Sequence, residues 1–392
     1  MRVGLFTESY DPIINGVSTS VKTLAAELTA LGHIPIVVAP RYPGFRDEPD
    51  DNAPDRRRLP SWRTPLNPEN PFAFPPLGVT PRTLRGIRFD IVHSQQPFGM
   101  GMHARRAARQ NDVPLVSTFH TLARVKVEAD LAESTERVRA EVSVVGCSDA
   151  ILANCEEEAS DLRQHYGAVA GRIEIIPPGV DHAFFSPGDR AGARQGIGWH
   201  DTGPMLLFVG RIQPLKGVDV AVATLAELDD PAARLAVVGG PSGADGSTEL
   251  ERVQQLATDL GVRDRIRFVV PQPHHLLSSW YRAADVVLVP SRSESFGLVA
   301  LEAAACGRPV VAAAVGGLRT IVEDGGTGFL VDGRMPASYA AAVATLLDDP
   351  ALAAGMGAAA AQRARGYTWS TAAARLRRLY SDLVARTLVD CA

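Results

Sequence analysis

Two stretches of the chain set charged side chains directly after apolar runs. In Gly210-Arg211-Ile212-Gln213-Pro214-Leu215-Lys216-Gly217, which follows the apolar residues 205–209, two cations stand at the C-terminal edge of an expected strand. A departing diphosphate needs its charge neutralised at such a place, and Arg211 supplies a planar fork while Lys216 supplies a point charge. In Ser293-Glu294-Ser295-Phe296-Gly297-Leu298-Val299-Ala300-Leu301-Glu302, soon after the apolar residues 286–289, two carboxylates frame a Phe-Gly pair. Glu294 falls in a loop and can accept hydrogen bonds from sugar hydroxyls. Glu302 falls one turn into the next helix and can accept from ribose hydroxyls. The backbone N–H groups of Phe296, Gly297 and Leu298 open that helix, and such unpaired amides attract phosphate. Gly297 lets a ligand approach the backbone closely.

Two further positions are weaker alone. The turn Pro12-Ile13-Ile14-Asn15-Gly16-Val17 lacks the G-x-G-x-x-G dinucleotide fingerprint. Gly16 nevertheless opens a helix after the first strand and can direct its N–H at a phosphate held by a facing domain. His120, in Thr118-Phe119-His120-Thr121, ends another expected strand. It reads either as a satisfied structural histidine or as a group at the edge of a cleft.

The elements that must position these residues alternate in type. Strands are expected over 3–7, 34–39, 90–94, 115–118 and 151–153, with helices over 17–31, 98–110, 135–145 and 156–166. Residues 41–81, rich in proline, arginine and acidic side chains, read as a long excursion rather than sheet. Pro177, Pro178, Gly179, Pro187 and Gly188 mark a boundary. The pattern then restarts with strands over 205–209, 234–238, 266–269, 286–289 and 310–312 and helices over 218–228, 248–260, 276–283 and 298–306. Alanine-rich helices fill 336–388. Strand–helix alternation predicts parallel sheets with crossover helices. The expected fold is α/β, with two Rossmann-like, doubly wound domains facing a cleft. The domains are 1–185 and 186–365, and 366–392 packs back on the first.

Composition narrows the partners. A chain of 392 residues exceeds one ordinary core. A net charge of −4 provides no global field toward nucleic acid. Arginines do cluster early, at 56–58, at 82, 85 and 88, and at 105, 106 and 109. They read as a solvated basic face or as attraction to an anionic acceptor or lipid surface. Four cysteines without zinc-ligand spacing suggest reduced thiols and a cytoplasmic protein. No leader segment is expected, because strand character starts at residue 2, and no apolar run reaches the ~18 residues of a bilayer span. Asp-x-Asp is absent, so no metal is expected at the site.

Together these residues resemble the retaining GT-B glycosyltransferases, whose E-x7-E signature matches Glu294 and Glu302 with Phe296-Gly297 between, alongside Gly210-Arg211 and Lys216. The resemblance covers nearly the whole chain. Residues 208–217, 239–243 and 283–317 are most similar to the D-inositol-3-phosphate N-acetylglucosaminyltransferases of mycothiol biosynthesis. It implies a catalytic set of His120, Arg211, Lys216 and Glu294. Arg211 and Lys216 would bind the diphosphate, Glu294 and the amides of Phe296, Gly297 and Leu298 the transferred sugar, and Glu302 the ribose. His120 would meet the sugar's distal hydroxyls, Gly16 would lend an amide to the phosphate, and the base would lie near residues 270–272. Implied as well are a nucleotide-sugar donor, UDP before GDP, front-face substitution with retention, no cofactor and a homodimer. A last helix beginning near Tyr367-Thr368-Trp369 would cross back to the first domain.

The N-terminal half also resembles the diacylglycerol and mannolipid branch through Pro12-x-x-Asn15-Gly16-Val17, Leu59-Pro60-Ser61, Phe98-Gly99 and Thr118-Phe119-His120-Thr121. The Tyr which that branch often carries beyond His-Thr is absent from 122–130. Thr121, Lys126 and Arg137 align instead with acceptor positions of the mycothiol enzymes. Gln96 stands where those enzymes have a Tyr, and Ser18 where they have an Asn. The expected acceptor is a small polar molecule: a cyclitol, an aminocyclitol, or a thiol or thione of specialised metabolism. A peripheral-membrane glycolipid transferase, a phosphorylase-like or epimerase enzyme, and a non-catalytic nucleotide-sugar sensor are the competing readings.

Overall fold

The computed structural model describes residues 1–13, 15–47, 53–64, 67–72, 84–96, 99–120, 135–242 and 246–390. The chain forms two compact units, Met1–Gly179 with Trp369–Ala392, and Val180–Thr368. The junctions differ by a few residues from those expected. The Val180 N–H donates to the Tyr367 carbonyl, and Val180 bridges Thr368, which ties both crossover points into the second unit.

The first unit is built on β1 (Arg2–Phe6), β2 (Ile34–Pro40), β3 (Asp55–Leu59), β6 (Ile91–Ser94), β7 (Leu115–Thr118), β8 (Ala150–Ala153) and β9 (Ile173–Ile175). A separate antiparallel pair consists of β4 (Trp62–Thr64) and β5 (Asn67–Phe72). The seven strands pair in parallel in the order 3-2-1-6-7-8-9, so strand order reverses between β1 and β6. Strands buried on both faces need apolar residues in both directions. Val3, Leu5, Val37 and Ala39 enter one layer, and Phe6, Ile36 and Val38 enter the other. The first layer is closed by helices Gly16–Ala30 and Trp369–Asp390, whose Leu24, Leu28, Leu376 and Tyr380 share one core.

The expectation that 41–81 contains no sheet is corrected by β3, which pairs with β2 over five residues. Its sequence, Asp-Arg-Arg-Arg-Leu, hides this, because an edge strand needs only one face covered and Leu59 alone enters the core. Arg58 is largely enclosed. Its guanidinium lies 5.5–5.6 Å from the ring centres of Tyr10, Tyr42 and Phe45, and it donates to Asp47 and to the Asp11 and Pro40 carbonyls. Arg56 and Arg57 pair with Asp47 and Asp55. This arginine cluster is therefore engaged with neighbouring carboxylates and rings.

The second unit carries β10 (Met205–Val209), β11 (Arg234–Val238), β12 (Ile266–Val269), β13 (Val286–Val289), β14 (Val310–Ala313) and β15 (Gly328–Val331). They pair in parallel in the order 12-11-10-13-14-15, reversing between β10 and β13. Sequence reading missed β9, β15 and helix Arg190–Gly196. The strands are short sheet edges. The helix has no buried residue and starts on the Asp189 side chain, which accepts from the Ala191 and Gly192 amides. No described helix is long and apolar enough to cross a membrane.

Candidate active site

In open α/β sheets ligands bind beyond the C-terminal strand ends, where strand order reverses. In the second unit the loops after β10 and β13 flank that point and hold each other. Gly217 ends the first loop at φ 72°, and a Cβ there would lie 2.1 Å from the Pro290 carbonyl oxygen, so only glycine fits this approach. The Arg292 N–H donates to the Leu215 carbonyl at 2.8 Å. Between the two loops, Lys216 Nζ lies 2.6 Å from Glu294 Oε2, with both side chains about one-fifth exposed. Ser291 Oγ donates to the same oxygen at 3.2 Å. The Glu294 backbone is fixed as well, because its carbonyl accepts the Gly317 N–H at 2.9 Å. A Cβ on Gly316, at φ 48°, would meet that carbonyl oxygen at 2.0 Å.

Gly297, at φ 97°, starts helix Leu298–Ala305, and no side chain caps the start of that helix. Phe296 beneath it is buried and tilted against Tyr367. Arg211 is exposed at the end of β10. Glu302 is turned inward at 6% exposure, and both of its oxygens are engaged. Tyr281 Oη donates to Oε2 at 2.7 Å, and His274 Nε2 lies 2.7 Å from Oε1. Burial alone would lower the His274 pKa. The Glu302 hydrogen bond and charge, with Asp181, outweigh it and raise the pKa above the usual histidine value. Phe185 packs on both rings at 4.9 and 5.9 Å. His274 and Tyr281 were not found in the sequence, since nothing in spacing links residues 28 and 21 positions from Glu302 to its carboxylate. Val270, near the expected base position, is 73% exposed.

In the first unit the loops after β1 and β6 flank the corresponding reversal. The Glu8 N–H donates to Gln96 Oε1 at 2.9 Å, Glu8 Oε1 accepts the Met100 N–H, and the Gln95 N–H donates to the Phe6 carbonyl. Gly16 is the first residue of its helix and is exposed. Ser18 is buried in a reciprocal cap. Asn15 Oδ1 accepts the Ser18 N–H at 2.9 Å, and Ser18 Oγ accepts the Asn15 N–H at 3.1 Å. The Ser18 hydroxyl is thus committed to the helix end. Thr121 and Lys126 lie outside the described residues, as does Phe98; Arg137 belongs to helix Thr135–Cys147.

His120 stands two residues beyond β7, with Nε2 3.2 Å from Gln95 Oε1. Gln95 Nε2 lies 3.1 Å from His93 Nδ1, which Tyr380 Oη approaches to 2.6 Å, and His93 Nε2 lies 2.7 Å from Thr118 Oγ1. Burial holds both histidines neutral, pushing His120 down to about 4 and His93 to about 3, the latter helped by the charge His120 would carry. Among the described residues no three His, Cys, Asp or Glu side chains converge as metal ligands.

Sheets of this order and paired switch-point loops define a class, and comparison with known proteins agrees with it. Residues 189–363 match the family model for glycosyl transferases group 1, and residues 14–184 match that for glycosyltransferase family 4. The chain belongs to the GT-B glycosyltransferases. It is 47% identical over 307 residues to the D-inositol 3-phosphate glycosyltransferase of Acidothermus cellulolyticus, covering 76% of this chain and 68% of that one. It is also 47% identical over 311 residues to the enzyme of that name in Frankia alni, covering 77% and 76%. Among solved structures, sucrose-phosphate synthase from Thermosynechococcus elongatus superposes with a TM-score of 0.85 at 27% identity, over 98% of this chain and 99% of that one. Anabaena HepE, in complex with UDP and glucose, shares the fold with a TM-score of 0.83 at 21% identity, over 98% and 100%.

Proposed function

We propose that this glycosyltransferase moves a hexosyl or related sugar from a nucleoside-diphosphate donor, UDP before GDP, to a cyclitol-type acceptor, with retention and without a metal ion. The observation that carries the reading is the Lys216–Glu294 pair at the sheet reversal, beside the uncapped start of helix Leu298–Ala305. It joins a cation after β10 to a carboxylate and to uncapped helix amides after β13, at the ends of neighbouring strands. Lys216, Arg211 and the amides of Phe296, Gly297 and Leu298 neutralise the departing diphosphate, Glu294 accepts from the sugar's hydroxyls, and Glu302, each oxygen of which keeps a second lone pair beside its bond to His274 or Tyr281, accepts from the ribose. His120 accepts a distal sugar hydroxyl.

In the step itself the acceptor oxygen bonds the anomeric carbon on the face the diphosphate leaves, as the carbon–oxygen bond to phosphate breaks. The acceptor's proton passes to the leaving oxygen, so positioning and charge stabilisation do the catalysis. The acceptor class is supported by the D-inositol 3-phosphate glycosyltransferases to which the chain is similar. Metal independence is supported by the missing Asp-x-Asp.

A thermal-shift panel of UDP, GDP, ADP and their sugars in EDTA tests the donor. A ligand at about 100 times its Kd stabilises the fold by about 2.7 kcal/mol. A shift with UDP and UDP-sugars is expected. A folded protein that answers to none of them, or only after Mg²⁺ is added, contradicts the reading.

A further inference from the structure

Both partners of the Glu302 carboxylate come from the segment after β12. His274 opens the short turn His274–Leu276, and Tyr281 lies about two helical turns further on, in helix Leu277–Ala283. That spacing puts both side chains on one face, toward helix Leu298–Ala305, which carries Glu302. An ionised carboxylate only accepts. His274 Nε2, 2.7 Å from Oε1, therefore carries a hydrogen, and Tyr281 Oη, 2.7 Å from Oε2, gives its own. Burial and the Glu302 charge raise the Tyr281 pKa well above the usual phenol value, so the phenol remains a donor. One donor on each oxygen fixes the plane of the carboxylate. Phe185, fully buried, lies against both rings and holds the two donors in place. A glutamate left free on a helix would lose rotamer freedom on meeting a ligand. Glu302 has already lost it to His274 and Tyr281.

We infer that His274 and Tyr281 are positioning residues that aim Glu302 at the ribose, and so set the preference for a nucleotide with free ribose hydroxyls over one without them. The inference rests on the reading that Glu302 accepts from the ribose. A ribose without its 2′ and 3′ hydroxyls offers the carboxylate nothing to accept, so fixing Glu302 in advance favours the ribonucleotide alone. The same segment would then serve both parts of the nucleoside, with Val270 exposed near the expected base position and His274 on the ribose-binding carboxylate.

Calorimetric titration of UDP and of 2′,3′-dideoxy-UDP into the full-length wild type, Tyr281→Phe, His274→Ala and Glu302→Ala tests this. The wild type is expected to bind UDP more tightly than the dideoxy analogue, and Glu302→Ala is expected to bring the two affinities together. Tyr281→Phe and His274→Ala are each expected to weaken UDP roughly five- to tenfold, the weight of one hydrogen bond, and to leave the dideoxy affinity unchanged. His274 is partly exposed, so its variant tests the inference even where the change at buried Tyr281 unsettles the fold. A site that is merely damaged loses both ligands alike, so equal loss overturns the positioning role. A UDP preference that is undiminished in either variant but vanishes in Glu302→Ala overturns the inference for that residue and leaves Glu302 on the ribose. A preference that survives in Glu302→Ala, or is missing in the wild type, overturns the ribose reading and the inference with it.

Discussion

The two units hold the polar groups at their sheet reversals by opposite means. In Val180–Thr368 the groups are charged and paired: Lys216 with Glu294, and His274 with Glu302. In the first unit the Glu8 carboxylate takes a backbone amide, and the side chains around the ends of β6 and β7 are neutral. His93, Gln95, Thr118, Tyr380 and His120 form a chain of uncharged donors and acceptors, and burial keeps both imidazoles unprotonated. A diphosphate calls for charge, while a sugar or polyol hydroxyl calls for hydrogen bonds of fixed direction. The charged pairs suit the diphosphate and hydroxyls proposed for the donor, and the neutral chain suits hydroxyls alone.

The comparison breaks most visibly at Lys216. Lys216→Ala removes the cation and leaves Glu294 half-buried without its partner. Loss of a group that stabilises transition-state charge costs about 10²–10³ in rate, so kcat for transfer is expected to fall by that order. A kcat near wild type rejects the charged half of the comparison.

Acid tests the neutral histidines of the first unit. The His93 and His120 pKa values are depressed from the ordinary 6.5 to about 3 and about 4. Below pH 6.5 the unfolded chain binds protons that the folded unit refuses, so stability drains as pH falls from 6.5 toward about 4. Glu158, in the same unit, acts the other way, because burial raises its pKa to about 8, so the histidine contribution is isolated by substitution. In chemical denaturation the stability of wild type relative to His93→Gln is expected to be smaller at pH 5 than at pH 7.5. A relative stability that rises as pH falls contradicts the buried, neutral state of His93.

His274 provides the smallest effect, with the opposite sign. Its pKa is raised, so its contribution is complete below 6.5 and is lost as pH rises through the raised value. In chemical denaturation the stability gap between wild type and His274→Gln is expected to be wider at pH 5.5 than at pH 8.5. A gap that widens with pH contradicts the His274–Glu302 pairing.

What could be read from sequence followed how local the contacts are. Gly210–Gly217 and Ser293–Glu302 each lie in one loop with its helix, so residue type and spacing brought Lys216, Glu294 and the Phe296–Leu298 amides to light. Most core strands were legible because burial on both faces leaves apolar runs, as in Val286–Val289. β3 was not, since its three arginines are held by rings and carboxylates rather than by an apolar core. The partners of the site residues were hidden for the same reason. Tyr380 lies 287 positions from His93, and His274 lies 28 from Glu302, separations that no periodicity reports. Ser18 shows the converse, because the resemblance set it at an acceptor position where the mycothiol enzymes have an Asn, while its hydroxyl accepts the Asn15 N–H in the helix cap.

The central claim is that Glu294 serves the transferred sugar while Lys216 serves the diphosphate. Calorimetric titration of UDP into wild type and Glu294→Ala, alongside their transfer rates, tests it most directly. Removing Glu294 frees Lys216 from its 2.6 Å partner, so UDP is expected to bind as tightly as before or more tightly, while transfer falls by about two orders of magnitude, the scale of losing one group that acts in the transition state. Equal loss of UDP affinity and rate would contradict the claim and make Glu294 a nucleotide ligand.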